Sequence, residues 1–362
     1  MNRSLRIILA VLLCSIIFSG VCGAAIYERL LTDELLEQAG LVKVWDTVLP
    51  IGENEKLQEF FLLDRHVFGL SSSNYLVSMN RIIGNISFSR PFAEPGIPFG
   101  CLSIYENELY SIIGSKIIEI SPDFGIEKSS TYIAFNEVAP AVRNKNFYYI
   151  AATDKRVHAL QASDKVQLFE VSAFSDSHLV SVIAQEDSFI FASKKGDLIC
   201  CQADKAVKKW HFKASDAIVD KIVEDKDSVY VGSRDTNIYR VDKNNGTLHW
   251  KYQIPARPEE APLVIDNVVY QYLRDFGIIA IDRESGKKKW QLEDAVAVLA
   301  ESEELAYVIT KTGKLVIMDN KKDKIKTSVD FSPVEVYLTN VLDSKIYVAN
   351  KAGKIMCLQP GK

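Results

Sequence analysis

Apolar and polar residues alternate along this chain in blocks rather than singly. A short apolar run, a polar turn and a second apolar run recur, as in Val268–Leu273 followed by Gly277–Asp282. Runs such as Phe189-Ile-Phe-Ala are apolar at consecutive positions, so both faces of the predicted strand must lie against protein. From Leu41 onward no helical periodicity of useful length appears. One residue of the second run marks the spacing: Phe68, Tyr110, Tyr149, Ile190, Tyr230, Tyr270, Tyr307 and Tyr347, 37 to 42 residues apart. A period of that length is the mark of a repeat fold.

Each unit reads as four strands. In the sixth they are Ala261–Ile265, Val268–Leu273, Gly277–Asp282 and Lys288–Leu292. Sheets apolar on both faces are satisfied when blades stack radially and each is covered by two neighbours, which predicts an all-β, eight-bladed β-propeller of four-stranded antiparallel blades. The eighth unit stops at Gln359-Pro-Gly-Lys362, just past its third strand, while Leu41–Val48 is a strand with no unit of its own. This N-terminal strand is expected to complete the last blade and close the ring, because open edges invite aggregation. All four tryptophans, Trp45, Trp210, Trp250 and Trp290, then occupy one structural position.

The link between third and fourth strands repeats most clearly as Ala280-x-Asp282-x-x-x-Gly286-x-x-x-Trp290, and again around Asp242, Gly246 and Trp250 with Arg240 at the Ala position. Asp bonds nearby backbone N–H groups and Gly supplies positive φ. The Trp can bury its ring between blades while its indole N–H finds a carbonyl. This is packing chemistry without a reacting group. The pattern is the tryptophan-docking motif, and on it the chain resembles the PQQ-type, BamB-like eight-bladed propeller repeat family, most strongly in units four to six. WD40 repeats carry Gly-His and Trp-Asp signatures; here no Gly-His occurs, and the only Trp-Asp is Trp45-Asp46.

The resemblance implies a non-catalytic protein-binding scaffold of the cell envelope, with a place in outer-membrane β-barrel assembly. Its other branch implies a quinoprotein dehydrogenase with PQQ and Ca²⁺ in the channel, and those enzymes set a vicinal disulfide against the quinone. Adjacent Cys200-Cys201 invites that comparison. Cys201, however, aligns with Val241 and Ile281, both core positions, where cysteine acts as a small hydrophobe. Repeats of about forty residues leave little length for pocket-building loops. The expectation is therefore no catalytic residue, no cofactor and no metal. The five histidines are scattered along the repeats without an H-E-x-x-H arrangement, and no G-x-S-x-G elbow supports a serine nucleophile.

A net charge of −4 gives no basic footprint for nucleic acid. Residues 1–24 combine Arg3 and Arg6 with the apolar run Ile7–Phe18, the plan of an export signal. Three fates fit: cleavage near Val21-Cys22-Gly23, lipidation at Cys22, or a transmembrane anchor, since Leu5–Ile26 is 22 residues long. Each leads to the periplasm or cell envelope, and the last two attach the chain to a membrane. Residues 25–40 read as a short helical spacer stopped at Gly40, and 41–360 as the propeller. Two connections exceed what a turn requires and are the candidate partner-binding loops. The first holds Pro91, Phe92, Pro95, Ile97, Pro98 and Phe99; the second holds Arg257.

Overall fold

The computed structural model describes residues 30–94, 96–97, 102–174 and 176–361. The signal or anchor segment with Cys22, and the loop residues Pro95, Pro98 and Phe99, lie outside the described residues.

Among the described residues the strands form eight separate four-stranded antiparallel sheets. Seven are built from four consecutive strands, for example Leu57–Leu63, His66–Ser71, Tyr75–Asn80 and Ile86–Pro91 in blade one. The inner edge of each blade is its first strand, which touches the first strands of its neighbours at several seams. In blade six the last three strands have the predicted bounds, but the first is shortened to Leu263–Ile265. Pro262 has no N–H to give a ladder, and the Ala261 N–H donates instead to Asp220 Oδ2 at 2.8 Å.

Blade eight is completed from the other end of the chain, as predicted. Leu41–Val48 pairs antiparallel with Lys354–Pro360, and Trp45 stands opposite Cys357. The four tryptophans share one register position: Ala280 opposes Trp290, Arg240 opposes Trp250 and Cys200 opposes Trp210. Phe88 opposite Ser78 and Phe169 opposite Ala159 take the same place in blades one and three. Blades two and seven put Ser129 and Thr327 there. In all eight blades the ladder skips one residue of the fourth strand beside this pair. A bulge of this kind bends the strand and re-aims the side chain next to it.

The core is divided among the gaps between blades. Each of eight clusters draws on two adjacent sheets; Cys200 belongs to the gap between blades four and five, Cys201 to that between three and four. Side chains alternate across a strand, so a sequence apolar at every position feeds two gaps at once. The gap between blades seven and eight receives an additional layer. Helix α1 (Asp33–Gln38), capped where Thr32 Oγ1 accepts from Leu35 N, places Leu31 and Leu36 against Val329 and Phe331. From Leu30 onward the segment expected as a spacer is thus packed onto the ring. Because Leu41 pairs with Pro360, the chain leaves α1 through Gly40 at the face carrying the third-to-fourth turns.

The closing strand is held to blade one as well as blade eight. Trp45 Nε1 donates to Arg81 O at 3.0 Å, Thr47 Oγ1 donates to Gly84 O at 2.7 Å, and the ring lies on Gly84, whose φ is +73°. A Cβ on Gly84 would overlap the indole. Gly84→Ala should therefore cost about 1–2 kcal/mol for the left-handed backbone and about 1–3 kcal/mol for the overpacked contact. Gly114→Ala is the control, with φ +59° and no atom within 4 Å of an added Cβ. Urea denaturation should show the smaller, backbone-only loss for Gly114→Ala; equal losses would show that Trp45 does not lean on Gly84.

Candidate functional site

The docking motif spans seams. Trp45, Trp210 and Trp250 each pack on the glycine of the following blade, not on one in their own blade, whereas Trp290 meets a turn with Asp323 at the glycine position. Trp210 lies on Gly246 and Trp250 on Gly286, where an added Cβ would sit 2.8 Å from either ring. The indole N–H groups donate to the residue after the turn's Asp: Trp210 to Lys243 O at 3.0 Å and Trp250 to Arg283 O at 2.8 Å. Asp242 Oδ1 accepts from the N–H groups of Asn244 and Asn245, and Asp282 Oδ1 from that of Ser285. The Asp shapes the turn, the Gly leaves room for the ring, and the carbonyl takes the indole proton.

Where the tryptophan is missing, the same turn residue is reached by other donors. Ser78 Oγ donates to Pro122 O at 3.1 Å, beside Phe88 stacked on Gly125. Tyr149 donates its hydroxyl to Ala203 O at 2.7 Å. At the blade two–three seam, Lys165 stands at the glycine position with φ +62° and donates to Ala162 O at 2.6 Å. Its ammonium lies 2.8 Å from Glu119 Oε1, in the place the repeat gives to Ala280. Tyr148 also donates to Glu119, at 2.5 Å, as does Ser129. Burial works against the Glu119 charge, but bonds from Lys165, Ser129 and Tyr148 outweigh it and hold the pKa below its ordinary value.

The blade six–seven seam differs again. Trp290 Nε1 donates to the side-chain oxygen of Asn320 at 2.6 Å, and Asn320 Nδ2 donates to Glu301 Oε1 at 2.9 Å. Tyr270 donates to Glu301 Oε2 at 2.7 Å. Burial dominates and raises the Glu301 pKa. Of these residues, Trp290 was singled out from sequence as a docking residue and Tyr270 only as a marker of the repeat. Alignment of the repeats would have flagged Glu119 and Lys165 as the charges standing at the Ala and Gly positions.

The candidate loops lie on the opposite face, with the second-to-third turns. Phe92 is buried in the blade one–two core, Pro91 ends an exposed strand, and Ile97 is partly exposed. Asn74 Nδ2 ties this loop down through Glu94 O and Ile97 O. In the second connection Ile254 and Pro258 are buried while Arg257 is exposed. Its end borders a cleft of about 470 Å³ on the channel side of blades five to seven. The cleft wall is apolar through Leu263, Tyr272, Ile278 and Val296, with Asp220, Glu224, Glu260 and Lys221 as its charged groups. Desolvation first, then the like charges of Asp220 and Glu259, raise the Glu260 pKa.

Among the described residues, the cysteine and Ser–Asp–His groupings do not form a reactive centre. Cys200 and Cys201 occupy consecutive positions of a regular strand and point into different cores, so their sulfurs face away from each other. Burial pushes their thiols up to about 11 and 12, far from a reactive thiolate. Ser193, Asp197 and His211 form a chain with the aspartate in the middle, so the imidazole does not contact the hydroxyl. Among the described residues no group of three or more His, Cys, Asp or Glu side chains could hold a metal ion.

Radial four-stranded blades, a strand exchanged between the two ends of the chain, and tryptophans docked across seams define an eight-bladed propeller of the tryptophan-docking type. The family model described as outer membrane protein assembly factor BamB matches residues 213–332. That span covers blades five to seven, and there the resemblance to PQQ-type, BamB-like repeats holds. Among solved structures, BamB from Moraxella catarrhalis superposes with a TM-score of 0.66 at 14% identity, covering 88% of this chain and 97% of that one. The computationally designed Ika8 protein gives 0.64 at 14% identity, over 86% of this chain and 98% of that one. The C-terminal WD40 domain of Sif2 gives 0.64 at 12% identity, over 88% and 98%. At these identities the likenesses show the fold. No curated protein matches the chain. Among the described residues no helix is long and apolar enough to cross a membrane.

Lys165→Met would remove the ammonium 2.8 Å from buried Glu119 and leave only the more distant Arg143 guanidinium, at 3.7 Å, as its cation. The cost is up to about 3–5 kcal/mol near neutral pH. Because the Glu119 pKa is depressed on folding, the stability it contributes is present above the unfolded carboxylate pKa and is lost as pH falls through the folded value. The gap between wild type and variant should therefore close on acidification. A gap independent of pH in urea denaturation would show that the seam does not depend on the pair.

Proposed function

We propose that this propeller is a non-catalytic protein-binding scaffold of the cell envelope, of the BamB kind, serving outer-membrane β-barrel assembly. The observation that carries this reading is a coincidence of position. The residues matching the BamB family model, 213–332, supply the first strands that build most of the channel-side cleft, which Thr339 and Val341 of blade eight complete, and the connection that carries Arg257. A rigid ring offering an apolar wall with a few charges at its rim suits a segment of another protein, whose side chains supply the specificity. The export signal in residues 1–24 puts the ring on the same side of the inner membrane as such a partner.

Crosslinking in intact envelopes followed by purification through the ring should recover a β-barrel assembly protein. Val296→Asp, at the half-buried cleft wall, should reduce that recovery and leave the thermal unfolding of the ring in place. Recovery unchanged by Val296→Asp would move the binding surface elsewhere, and recovery of no assembly protein would remove the assembly role. The competing reading is a PQQ-dependent dehydrogenase; dye reduction with alcohols or sugars after addition of PQQ and Ca²⁺ would overturn the scaffold.

A further inference from the structure

The indole of Trp290 is docked differently from the other three. Trp45, Trp210 and Trp250 donate to backbone carbonyls, which the chain itself holds in place. Trp290 donates to the side-chain oxygen of Asn320 at 2.6 Å, and a side chain stays put only where its other end is held. That end is Nδ2, which lies 2.9 Å from Glu301 Oε1 and 2.7 Å from the Tyr270 hydroxyl. Tyr270 in turn donates to Glu301 Oε2 at 2.7 Å. Tyr270, Trp290, Glu301 and Asn320 are all buried. The alignment of blade seven on blade six therefore runs through one carboxyl group.

The surroundings of that carboxyl differ from those of Glu119, the buried glutamate of the blade two–three seam. Glu119 has the cations Lys165 and Arg143 within 4 Å, at 2.8 and 3.7 Å. The hydrogen-bond partners of Glu301 are the neutral Tyr270 and Asn320. Glu301 lines a cleft of about 610 Å³, to which blade six contributes Asp266, Asp282, Glu284 and Lys289. Blade seven adds Glu303 and Glu304, and blade five adds Lys226. Two of these charges are taken up elsewhere: Lys289 pairs with Asp323 at 3.5 Å, and Glu284 with Arg240 at 2.8 Å. Burial first, then the charge of Asp266, raise the Glu301 pKa against the bonds from Tyr270 and Asn320 and the charge of Lys289. An ionised Glu301 is thus a buried charge without a paired cation, which is costly, beside a space where water can hydrate it.

We propose that Glu301 is a proton-controlled latch on the blade six–seven seam. Neutral, it stays beneath Asn320 and the Trp290 dock is closed. Ionised, it turns to the water of the cleft, and Asn320 loses its hold. Because folding raises this pKa, the stability it contributes is present below the unfolded carboxylate value and is lost as pH rises through the folded value. The Glu119 seam, four blades away, has the opposite sign, so the seam that yields first changes with pH. Tyr270 and Val296, which shares a strand with Glu301, also wall the channel-side cleft. The latch is a property of the seam and does not depend on a partner there.

Hydrogen exchange of the full chain, read by mass spectrometry over a pH series and corrected for intrinsic exchange rates, tests the latch. As pH rises, protection of Val268–Leu273 and Ala295–Ser302 should fall several-fold more than that of Ser188–Ser193 and Ser228–Ser233, which flank the Trp210 seam. In Glu301→Gln, which keeps the size and an acceptor oxygen, the extra fall should vanish. Tyr270→Phe removes a donor to the ionised form and should raise the pH at which the fall occurs, a shift that mere loss of packing does not produce. Equal falls in all four strands, a fall that persists in Glu301→Gln, or an unmoved midpoint in Tyr270→Phe would each overturn the latch. If Glu301→Gln does not fold, the wild-type strands and Tyr270→Phe still decide. None of these readings involves a partner, so their failure and that of the scaffold are separate results.

Discussion

No blade of this protein can stand alone. Its strands are apolar on both faces, so each sheet exposes two core surfaces until neighbours cover them, and stability resides in the seams. What aligns one blade on the next is a single contact type: the residue after the third strand of one blade is gripped by a side chain of the blade before it, or by a lysine of its own turn paired across the seam. Trp45, Trp210 and Trp250 do this through an indole N–H, Ser78 and Tyr149 through a hydroxyl, and Lys165 through an ammonium held by Glu119. Trp290 reaches the side chain of that residue, Asn320, in place of its carbonyl.

The ring has one seam where this device is impossible. Blade eight takes its fourth strand from residues 41–48, so no continuous turn follows its third strand, and blade seven has Thr327 where a tryptophan would dock. Helix α1 and its flanking leucines occupy that seam, and Gly361 N donates to Gly40 O at 2.8 Å across the chain break. The sequence before the first strand is thus part of the closure, which explains why a six-residue helix is stable: it is packed, not self-supporting.

Much of this was legible because the repeat period carries it. The eight units, the exchanged strand and the shared register of the four tryptophans follow from spacing alone. Phe88 and Phe169 hold the same position but were hidden, because a motif sought through tryptophan does not find phenylalanine. The polar seams were less visible still. Lys165 and Glu119 meet through strands 46 residues apart in sequence, and nothing local marks either as buried. Phe92 shows the converse limit, since a Pro-rich loop suggested exposure while one of its aromatics completes the core beneath it. Alternation says which residues leave a strand's plane; it does not say where a loop's side chains go.

The same accounting separates residues that hold the ring from those free to do something else. In a third-to-fourth turn the first residue's side chain caps the tip N–H groups, the next residue is gripped across the seam, and the glycine position receives the neighbouring ring. The two tip side chains stand outside these three contacts, although some make seam bonds of their own, as Glu284 does with Arg240 and Asp123 with His66. Their identity varies from asparagine through glutamate and lysine to isoleucine and phenylalanine. Exposed isoleucine and phenylalanine are the costly choices in water, since each leaves apolar area that hydration disfavours by about 25 cal/mol per Å². At the tips they stand in blades one and two, as Ile82, Ile83 and Phe124, where the hydrogen bonds of the turn do not require them.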